Sequence, residues 1–361
     1  MKLVIDIRLI NASGIGTYLK NILPGILDEF DQIVVLGNQQ EISLFPWSKR
    51  VEIINFDAKI YSLNEQLSYP KVIPKCDIFW APHFNLPLLP IKANKIVATI
   101  HDVNHLSGVL PIRMLKKKYA HLLFQNAVNK ANLIFTVSEF SKRELMKYTT
   151  VNPEKIKVVY GGVNQSFFQN TKNDTRFKLP ENYILYVGNV KPHKNLITLL
   201  KAYNFLSKEM RLKYQLVIIG KKEGFITQDK EIEGFITKNN LEGQITFTGY
   251  VEDLDLPKIY QEAALFVFPS LYEGFGLPIL EALAAKTRII CSNAASLPEI
   301  GGNAVIYFDP KNYTELAQKI LDNIENVTND ASLHIEREIQ LKKFTWEKAI
   351  QNHKHGFKTI E

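Results

Sequence analysis

The sequence lacks several features that mark membrane-spanning, secreted or repetitive proteins. Its 361 residues include only two cysteines, Cys76 and Cys291, which lie far apart in apolar surroundings. We therefore predict buried free thiols in a reducing cytosol instead of a disulfide framework. No apolar run approaches the roughly 18 residues that a membrane-spanning helix needs. Asp6 and Arg8 interrupt the apolar start, which favours a first strand over a secretory signal.

Acidic residues are also in slight deficit. Lysine and arginine together number 44 against 37 aspartates and glutamates, which gives a net charge of +7. This balance favours anionic partners such as sugar nucleotides, anionic lipids or nucleic acid, without choosing among them. No strand pattern interleaves aromatic and basic residues, so we do not expect nucleic acid to be the partner.

Short apolar runs recur along the whole chain and alternate with helical patterns. Near-continuous apolar strands of this kind indicate parallel sheets covered on both faces. Two successive series, in a chain of 361 residues, predict two doubly wound domains. The polar segment Gln165–Pro180 is the candidate linker. The runs are Leu3–Ile7, Ile33–Leu36, Val51–Ile54, Ile78–Trp80, Ile96–Ile100 and Leu133–Val137, then Ile156–Val159, Ile184–Val187, Leu216–Ile219, Ile245–Thr248, Ala264–Phe268, Arg288–Cys291 and Val305–Phe308.

The stretch PSLYEGFGLPILE, residues 269–281, carries the strongest chemical signal. It follows an apolar strand pattern and leads into a helix predicted over Ile279–Ala285, with Gly274, Gly276 and Pro278 between them. Free backbone N–H groups and the positive end of a helix dipole make such a turn an anion site. Glycine lets the backbone approach a ligand closely, and proline at the first helical position loses no hydrogen bond.

Two carboxylates, Glu273 and Glu281, frame this turn with seven residues between them. Acids beside an anion site suggest a ligand with hydroxyl groups or a developing positive charge, such as a phosphorylated sugar. The E-x7-E pattern with its EGFGLP core resembles the signature of retaining glycosyltransferases of family 4 (glycosyl transferases group 1), which have the GT-B fold. The alternative is a tight strand–helix turn with two solvated acids.

The resemblance implies an α/β protein with two Rossmann-like, doubly wound parallel-sheet domains facing a central cleft. Residues 1–164 would form the acceptor-side domain, and residues 165–344 would form the domain that binds the nucleotide sugar. A C-terminal helix at about residues 345–361, opening with Thr345, Trp346 and Glu347, would cross back to the first domain.

The segment ILYVGNVKPHKN resembles the element that pairs with the donor diphosphate in this family. It places Lys194 six positions after Gly188, at the predicted start of a helix. The resemblance implies that Lys194 contacts the donor diphosphate. The alternative is that Lys194 is an ordinary surface lysine. Family members commonly carry an arginine where this chain has Asn189, so Lys191 or His193 is the candidate replacement for the missing charge.

The resemblance also implies the remaining donor contacts. Backbone N–H groups of Phe275, Gly276 and Leu277 would hold the diphosphate. Glu281 would bind the ribose hydroxyl groups. Glu273 would contact the donor sugar and support an oxocarbenium-like charge.

The segment ITFTGYV resembles the strand that borders the nucleotide base in this family. The resemblance makes the backbone groups of Tyr250 and Val251 candidate contacts of that base. Elsewhere, Ser138 is the predicted N-cap of a helix and a supporting residue near the site.

The first glycine pair, Gly14 and Gly16, ends a loop that follows the first strand, before a helix predicted to open at Thr17. A loop in this position can contact phosphate, so both glycines are candidates for a phosphate or acceptor contact. Most G-x-G turns are only turns, and that alternative stays open. Pro24 and Gly25 should kink or end the following helix.

The segment TIHDVNH places His101 and Asp102 at the carboxyl end of a strand, where open α/β sheets bind ligands. The resemblance makes His101 a contact of the transferred sugar and gives Asp102 the role of orienting the loop. The alternative is a capping aspartate beside a chance histidine. His101 and His105 have the spacing of a metal pair, but no third ligand pattern is nearby, so we expect no metal.

A helix predicted over residues 110–130 carries Arg113 and Lys116, Lys117 and Lys118 beside apolar residues at helical spacing. Such a helix can lie on an anionic membrane, or it can be an ordinary helix with a solvated basic face. We expect a cytoplasmic protein. If this helix binds lipid, the protein would lie peripherally at the inner face of the cytoplasmic membrane.

Through these motifs in their order, the resemblance implies a retaining, metal-independent glycosyltransferase that uses a nucleotide-diphospho-sugar as co-substrate and no cofactor. It would move a hexose or deoxyhexose from a GDP- or UDP-sugar to a glycan or lipid-linked acceptor in surface polysaccharide or glycolipid assembly. GDP-mannose is preferred, because VGNVKPHKN and SLPEI resemble mannosyl- and deoxyhexosyltransferases. The alternatives are a GT-B epimerase of sugar nucleotides, a phosphorylase, or a non-catalytic carbohydrate- or anion-binding protein.

Overall fold

The computed structural model describes residues 1–109, 113–169, 177–220, 230–325 and 331–361. Within them the chain forms two compact units: Met1–Gly161 with Thr345–Glu361, and Gly162–Phe344. Each unit contains a parallel β-sheet with helices in the connections between its strands. The α/β fold with two doubly wound sheets, predicted from the apolar runs, is confirmed.

In its described residues the first unit holds a seven-stranded sheet with the order β3-β2-β1-β4-β5-β6-β7. The chain order therefore reverses between β1 and β4, and the carboxyl end of the sheet at that point is where open α/β sheets bind ligands. Its strands are β1 (Lys2–Asp6), β2 (Gln32–Gly37), β3 (Glu52–Asn55), β4 (Cys76–Ala81), β5 (Ala93–Ile100), β6 (Leu133–Thr136) and β7 (Ile156–Val158). Its first helices are α1 (Ser13–Ile26), α2 (Gln39–Ile42), α3 (Leu63–Val72), α4 (Asn104–Ser107), α5 (Met114–Lys130) and α6 (Glu139–Tyr148).

The second unit, in the residues described, holds a six-stranded sheet with the order β10-β9-β8-β11-β12-β13, so its order reverses between β8 and β11. Its strands are β8 (Tyr183–Val187), β9 (Gln215–Ile219), β10 (Ile245–Gly249), β11 (Leu265–Phe268), β12 (Ile289–Ser292) and β13 (Ile306–Phe308). Its helices are α7 (Leu196–Phe205), α8 (Lys208–Lys213), α9 (Lys230–Lys238), α10 (Leu256–Glu262), α11 (Leu277–Ala284), α12 (Leu297–Gly301), α13 (Tyr313–Ile324) and α14 (Ala331–Lys343). The last helix, α15 (Trp346–Lys358), belongs to the first unit.

Each predicted apolar run overlaps a strand, because a parallel strand that is covered on both faces has little room for polar residues. In β11, for example, every residue from Leu265 to Phe268 is fully buried. Cys76 and Cys291 are buried free thiols, as predicted. Of the candidate linker, residues 170–176 lie outside the described residues.

Helix α1 begins four residues earlier than the sequence pattern predicted. Gly14 and Gly16 lie in its first turns and not in a loop before Thr17. A Cβ atom on Gly16 would lie 2.5 Å from the carbonyl oxygen of Ile10, so close packing of the helix on the preceding loop requires this glycine. Gly14 has no atom within 4 Å of a Cβ position, so packing does not explain it.

The Pro24–Gly25 pair, predicted to kink or end the helix, lies in its last turn and has a packing role. Pro24 lies inside α1, which ends at Ile26. A Cβ atom on Gly25 would lie 2.5 Å from the side chain of Ile350 in α15. The glycine therefore lets α1 and α15 pack closely within the first unit.

Candidate active site

The reversal of strand order in the second unit brings together the two loops that the sequence singled out. Lys194 lies in a short 3₁₀ turn, Pro192–Lys194, that follows β8. Glu273 lies in the loop that follows β11, and β8 pairs directly with β11. Both side chains are thus at the carboxyl edge of the sheet, at the point where such folds bind ligands.

Lys194 and Glu273, 79 residues apart in sequence, form an ion pair of 2.6 Å between Nζ and Oε1. Their side chains are 19% and 13% exposed, so the pair is accessible from solvent but mostly covered. The Lys194 ammonium also lies 5.6 Å from the centre of the Phe268 ring. The prediction that Lys194 starts the following helix is wrong, because α7 begins two residues later at Leu196.

Asn195 fixes the positions of these two loops relative to each other. Its backbone is left-handed, with φ of 57°, which asparagine tolerates better than most residues. Its side-chain amide donates hydrogen bonds to the carbonyl oxygens of Pro269 (3.0 Å) and Pro310 (2.8 Å). The Leu271 N–H donates to the carbonyl of His193 at 2.7 Å. Sequence reasoning missed Asn195, although an asparagine before a helix is a recognised capping signal.

Helix α11 begins at Leu277, with Gly276 as its N-cap and Pro278 in its first turn. The φ of Gly276 is 114°, a conformation that residues with a side chain rarely adopt. No side chain caps this helix end. The helix start therefore presents backbone and not a capping side chain, which is the arrangement an anion site uses.

A second unpredicted residue, Ser296, fixes the loop that leads into this helix. Its hydroxyl lies 3.0 Å from the carbonyl oxygen of Glu273 and 2.7 Å from that of Phe275. Because Ser296 is fully buried, these contacts hold the backbone on both sides of Gly274. Ser296 opens the SLPEI segment that the sequence analysis singled out, but that resemblance did not assign its hydroxyl this role.

Glu281 lies in α11, one turn after the helix start, and accepts a hydrogen bond from the Tyr260 hydroxyl at 2.9 Å. Burial raises the pKa of Glu281 to about 7, the Tyr260 hydrogen bond opposes this increase, and Asp253 adds to it. Near neutral pH this carboxyl group therefore exchanges readily between its neutral and ionised forms. Tyr260 was also missed, since nothing in its sequence context connects it with Glu281.

The other residues predicted to contact the donor follow the ends of β8 and β10, at the same edge of the sheet. Gly188 directly follows β8, and the carbonyl of Asn189 accepts a hydrogen bond from the Lys191 N–H at 3.0 Å. Lys191 is exposed, and in the described part of the chain no ion pair joins it to either candidate carboxylate. Tyr250 is exposed and Val251 is buried. The effect of Asp253 on Glu281 places the segment after β10 near that carboxyl group.

In the first unit, His101 directly follows β5 and is held from three directions. Its Nε2 lies 3.1 Å from the Pro82 carbonyl oxygen, so Nε2–H is the donor and Nδ1 is left as an acceptor. The Tyr18 ring packs edge-on against it with centroids 5.0 Å apart, and the Ser141 hydroxyl donates to its carbonyl at 2.7 Å. Burial lowers the pKa of His101 to about 4, so the ring is neutral at pH 7.

Asp102 and Ser138 support this segment locally. The carboxylate of Asp102 accepts the Asn104 N–H at 2.9 Å, which orders the turn after β5. Ser138 caps α6 by accepting the Ser141 N–H at 3.0 Å, and its predicted capping role is confirmed. Ser138 also donates to the Ser141 hydroxyl, so it is linked to His101 through Ser141.

Among the described residues, no group of three or more His, Cys, Asp and Glu side chains is arranged to hold a metal ion. In the same set of residues, no helix is both long and apolar enough to cross a membrane.

The chain matches two sequence profiles that together span most of its length. Residues 13–167 match the profile described as Glycosyltransferase Family 4, and residues 167–337 match Glycosyl transferases group 1. The chain is 30% identical over 289 residues to the O-antigen chain mannosyltransferase B of Escherichia coli. The aligned region covers 78% of this chain and 74% of that protein. This chain is also 30% identical over 250 residues to the O-antigen chain mannosyltransferase RfbU of Salmonella typhimurium, covering 69% and 65% of the two chains.

Solved structures resemble the whole chain at lower identity. HepE from Anabaena, solved in complex with UDP and glucose, has a TM-score of 0.77 and 16% identity, with 99% of this chain and 100% of that chain covered. At this identity the likeness shows the shared fold alone.

Proposed function

The chain belongs to glycosyltransferase family 4, and from this membership we propose that it transfers mannose from GDP-mannose with retention of configuration. The acceptor is a growing glycan or a lipid-linked glycan in surface polysaccharide assembly. The observation that carries the proposal is the Lys194–Glu273 pair beside the start of α11. The mannosyltransferase names of the relatives support the sugar, and their O-antigen names support the pathway class.

The donor diphosphate binds Lys194 and the backbone N–H groups at the start of α11. One ammonium group and a helix N-terminus supply the positive charge that a metal ion provides in other transferases. Because Lys194 is paired with Glu273 in the free protein, the diphosphate displaces this carboxylate. We therefore propose metal-independent transfer.

The two carboxylates then have different roles. Ionised Glu281, oriented by Tyr260, accepts hydrogen bonds from the ribose hydroxyl groups. Glu273, released from Lys194, contacts the donor sugar and stabilises the positive charge that develops as the glycosidic bond breaks. The leaving phosphate accepts the proton of the acceptor hydroxyl, which attacks from the same face of the sugar.

His101 is proposed as a contact of the transferred sugar, as the family resemblance implies. Its orientation in the first unit leaves Nδ1 as an acceptor, so it takes a hydrogen bond from a sugar hydroxyl group. Its low pKa keeps the ring neutral over the physiological range. This role requires no proton transfer.

A product assay with GDP-mannose and octyl α-mannoside in the presence of EDTA tests the proposal. We expect an α-linked mannosyl product by NMR, formed at an undiminished rate when EDTA is present. A β-linked product would contradict retention, and loss of activity in EDTA would contradict metal independence. Products formed only from UDP-sugars would contradict the donor, and donor conversion without acceptor would indicate an epimerase.

A further inference from the structure

Four elements of the first unit meet in a buried chain of hydrogen bonds beside His101. The Tyr18 hydroxyl, in α1, lies 3.2 Å from the Thr99 hydroxyl in β5 and also bonds Nε2 of His353 in α15. The indole N–H of Trp80, in β4, donates to the Thr99 hydroxyl at 3.0 Å. Tyr18 is 3% exposed, and Thr99 and His353 are fully buried. These polar groups are therefore shielded from solvent and bond to one another.

Each hydrogen bond in this chain has one direction. The Ala349 carbonyl accepts, so Nδ1–H of His353 donates to it at 2.7 Å. Neutral His353 then has Nε2 as an acceptor, and the Tyr18 hydroxyl donates to it. The Tyr18 oxygen in turn accepts from the Thr99 hydroxyl, which accepts from Trp80. A fully satisfied network of this kind holds its side chains in a single arrangement.

An apolar pair would fill the same space without these polar groups. Burial of a hydroxyl and an imidazole removes their hydrogen bonds to water, and the bonds that replace them contribute only a small net gain. Core packing alone therefore does not explain the Tyr18–His353 pair. The pair does fix the orientation of the Tyr18 ring, which packs edge-on against His101 with centroids 5.0 Å apart and ring planes at 86°.

A hydrogen bond and this ring contact together determine where Nδ1 of His101 points. The Nε2–H donates to the Pro82 carbonyl at 3.1 Å, which by itself permits the imidazole to turn about the direction of that bond. The Tyr18 ring lies against the imidazole and restricts this turning. Nδ1, the proposed acceptor for a sugar hydroxyl group, therefore keeps its direction only while Tyr18 keeps its own.

We propose that Tyr18 and His353 are positioning residues for the transfer reaction, which act on the sugar through His101 and do not touch the substrate. The hydrogen bond from Tyr18 to His353 fixes the tyrosine ring, and the ring fixes the direction of Nδ1 in His101. The C-terminal helix α15, which follows the second unit in the chain, thereby contributes to the sugar contact in the first unit. The inference rests on the proposed function, because it takes His101 as a contact of the transferred sugar.

Steady-state transfer of mannose from GDP-mannose to octyl α-mannoside tests this inference in Tyr18→Phe, in His353→Leu and in the two changes combined. We expect each single variant to lower kcat by about tenfold or more, because a small misplacement of a contact group slows a reaction strongly. The KM for GDP-mannose should stay within about twofold, since the proposed donor contacts lie in the second unit.

The combined variant separates positioning from stability. Each single change leaves one buried polar group without its partner, whereas the combined change removes both partners and should restore most of the lost stability. Its kcat should nevertheless stay as low as in the single variants. Recovery of kcat together with the melting temperature would overturn the inference, because transfer would then follow stability alone.

Three further variants test the route of the effect. His353→Gln supplies an amide oxygen that accepts the Tyr18 hydroxyl, and it should keep kcat within about twofold of the wild type. The matched control is Tyr148→Phe, which removes a hydroxyl that donates to the Ser107 carbonyl at 3.2 Å in the same unit and should leave kcat unchanged. In His101→Ala, the addition of Tyr18→Phe should lower kcat no further. Independent effects of these two changes would show that Tyr18 does not act through His101.

The orientation of His101 is also measured without substrate, from the nitrogen chemical shifts of its ring. The wild type should show the Nε2–H tautomer, and Tyr18→Phe, which retains the aromatic ring, should shift or broaden the His101 signals. Tyr148→Phe should leave them unchanged. Unchanged signals in Tyr18→Phe would overturn the inference. Failure of the proposed function would appear separately, as undiminished transfer by His101→Ala while the His101 signals still depend on Tyr18.

Discussion

At the scale of single residues, the two candidate carboxylates are in different electrostatic states. Glu273 is paired with Lys194, whereas Glu281 is buried beside a phenol, and its pKa is raised to about 7. An ionised carboxylate accepts hydrogen bonds from ribose hydroxyl groups better than a protonated one. The affinity for the donor should therefore vary with pH, because Glu281 ionises near neutral pH. It should also depend on how readily the diphosphate displaces Glu273 from Lys194.

We predict that the affinity for the nucleotide sugar rises about tenfold between pH 6 and pH 8. With a pKa of about 7, Glu281 is roughly 10% ionised at the lower value and roughly 90% ionised at the higher one. Isothermal titration with GDP-mannose measures this directly. The diphosphate of a nucleotide sugar has no terminal phosphate that titrates in this range. Glu281→Gln should give weaker binding that no longer varies with pH, and an unchanged pH profile in this variant would contradict the assignment.

The same group has the opposite effect on the unligated protein. Its pKa is higher in the folded state than the ordinary value of 4.5, so the folded state binds the proton more tightly. The resulting stability is present at low pH and is lost as pH rises from about 4.5 through 7. In Glu281→Gln, this part of the pH dependence of the free energy of unfolding should disappear.

Replacing Glu273 should separate binding from transfer. Because the Glu273 carboxylate occupies Lys194 in the free protein, Glu273→Gln should bind free GDP roughly three- to tenfold more tightly. The transfer rate should fall roughly 100-fold or more, since a neutral amide stabilises developing positive charge poorly.

The control for this variant is Glu325→Gln, which removes the exposed ion pair with Lys213 in the same unit and should change neither quantity. Weaker GDP binding in Glu273→Gln would show that the carboxylate does not compete with the diphosphate.

At the scale of secondary-structure elements, the start of α1 distinguishes its two glycines. Gly16→Ala should destabilise the protein by about 1–3 kcal/mol, because the added methyl group collides with the Ile10 carbonyl. Gly14→Ala, its matched control, enters open space in a helix and should be neutral or stabilising by up to about 1 kcal/mol. Denaturant unfolding measures both. If Gly14→Ala lowers transfer without lowering stability, the predicted ligand contact at Gly14 gains support.

Helix α15 contributes a buried histidine to the first unit. His353 is fully buried, its Nδ1–H donates to the Ala349 carbonyl at 2.7 Å, and its Nε2 accepts from the Tyr18 hydroxyl. Burial lowers the pKa of His353 to about 4, below its ordinary value of 6.5. The unfolded chain therefore takes up this proton first as pH falls.

We predict that stability is lost as pH falls from about 6.5 through 4, by at most about 3 kcal/mol from His353. His101, whose pKa is also lowered to about 4, adds a loss of the same sign. His353→Gln should reduce the slope of unfolding free energy against pH, whereas His355→Gln, exposed on the same helix, should not. Equal slopes in both variants would contradict the account.

The sequence predicted strands more reliably than helix faces or side-chain partners, for physical reasons. A strand such as β11 is visible because burial on both faces makes it continuously apolar. The start of α1 was misplaced because Ser13 and two glycines look like a loop until the packing of Gly16 is known. In α5 the spacing of apolar residues did not reveal which side faces the core, because the buried side and the exposed side of this helix both carry apolar residues.

The candidate site was predictable as motifs but not as contacts. The E-x7-E turn and Lys194 were identified, but their ion pair depends on the adjacency of β8 and β11 in the sheet. Tyr260 lies 21 residues before Glu281, and no local pattern connects them. The pKa of Glu281 follows from burial, which sequence alone does not show.

At the scale of the whole molecule, the chain consists of two units with separate hydrophobic cores. The proposed donor contacts Lys194, Glu273 and Glu281 all lie in the second unit. A ligand that binds only the folded state raises the melting temperature, and the rise increases with the logarithm of the ligand concentration relative to its dissociation constant. Donor binding should therefore stabilise the second unit against thermal unfolding.

The most direct test of the central claim is a thermal-shift titration with GDP, UDP and a panel of their sugars. It compares the wild type with Glu281→Ala and with the control Glu325→Ala. We predict a concentration-dependent rise in melting temperature with GDP and GDP-mannose, lost in Glu281→Ala and retained in Glu325→Ala. Stabilisation by UDP alone would contradict the GDP-mannose proposal, and no shift with any nucleotide or nucleotide sugar would contradict the donor site itself.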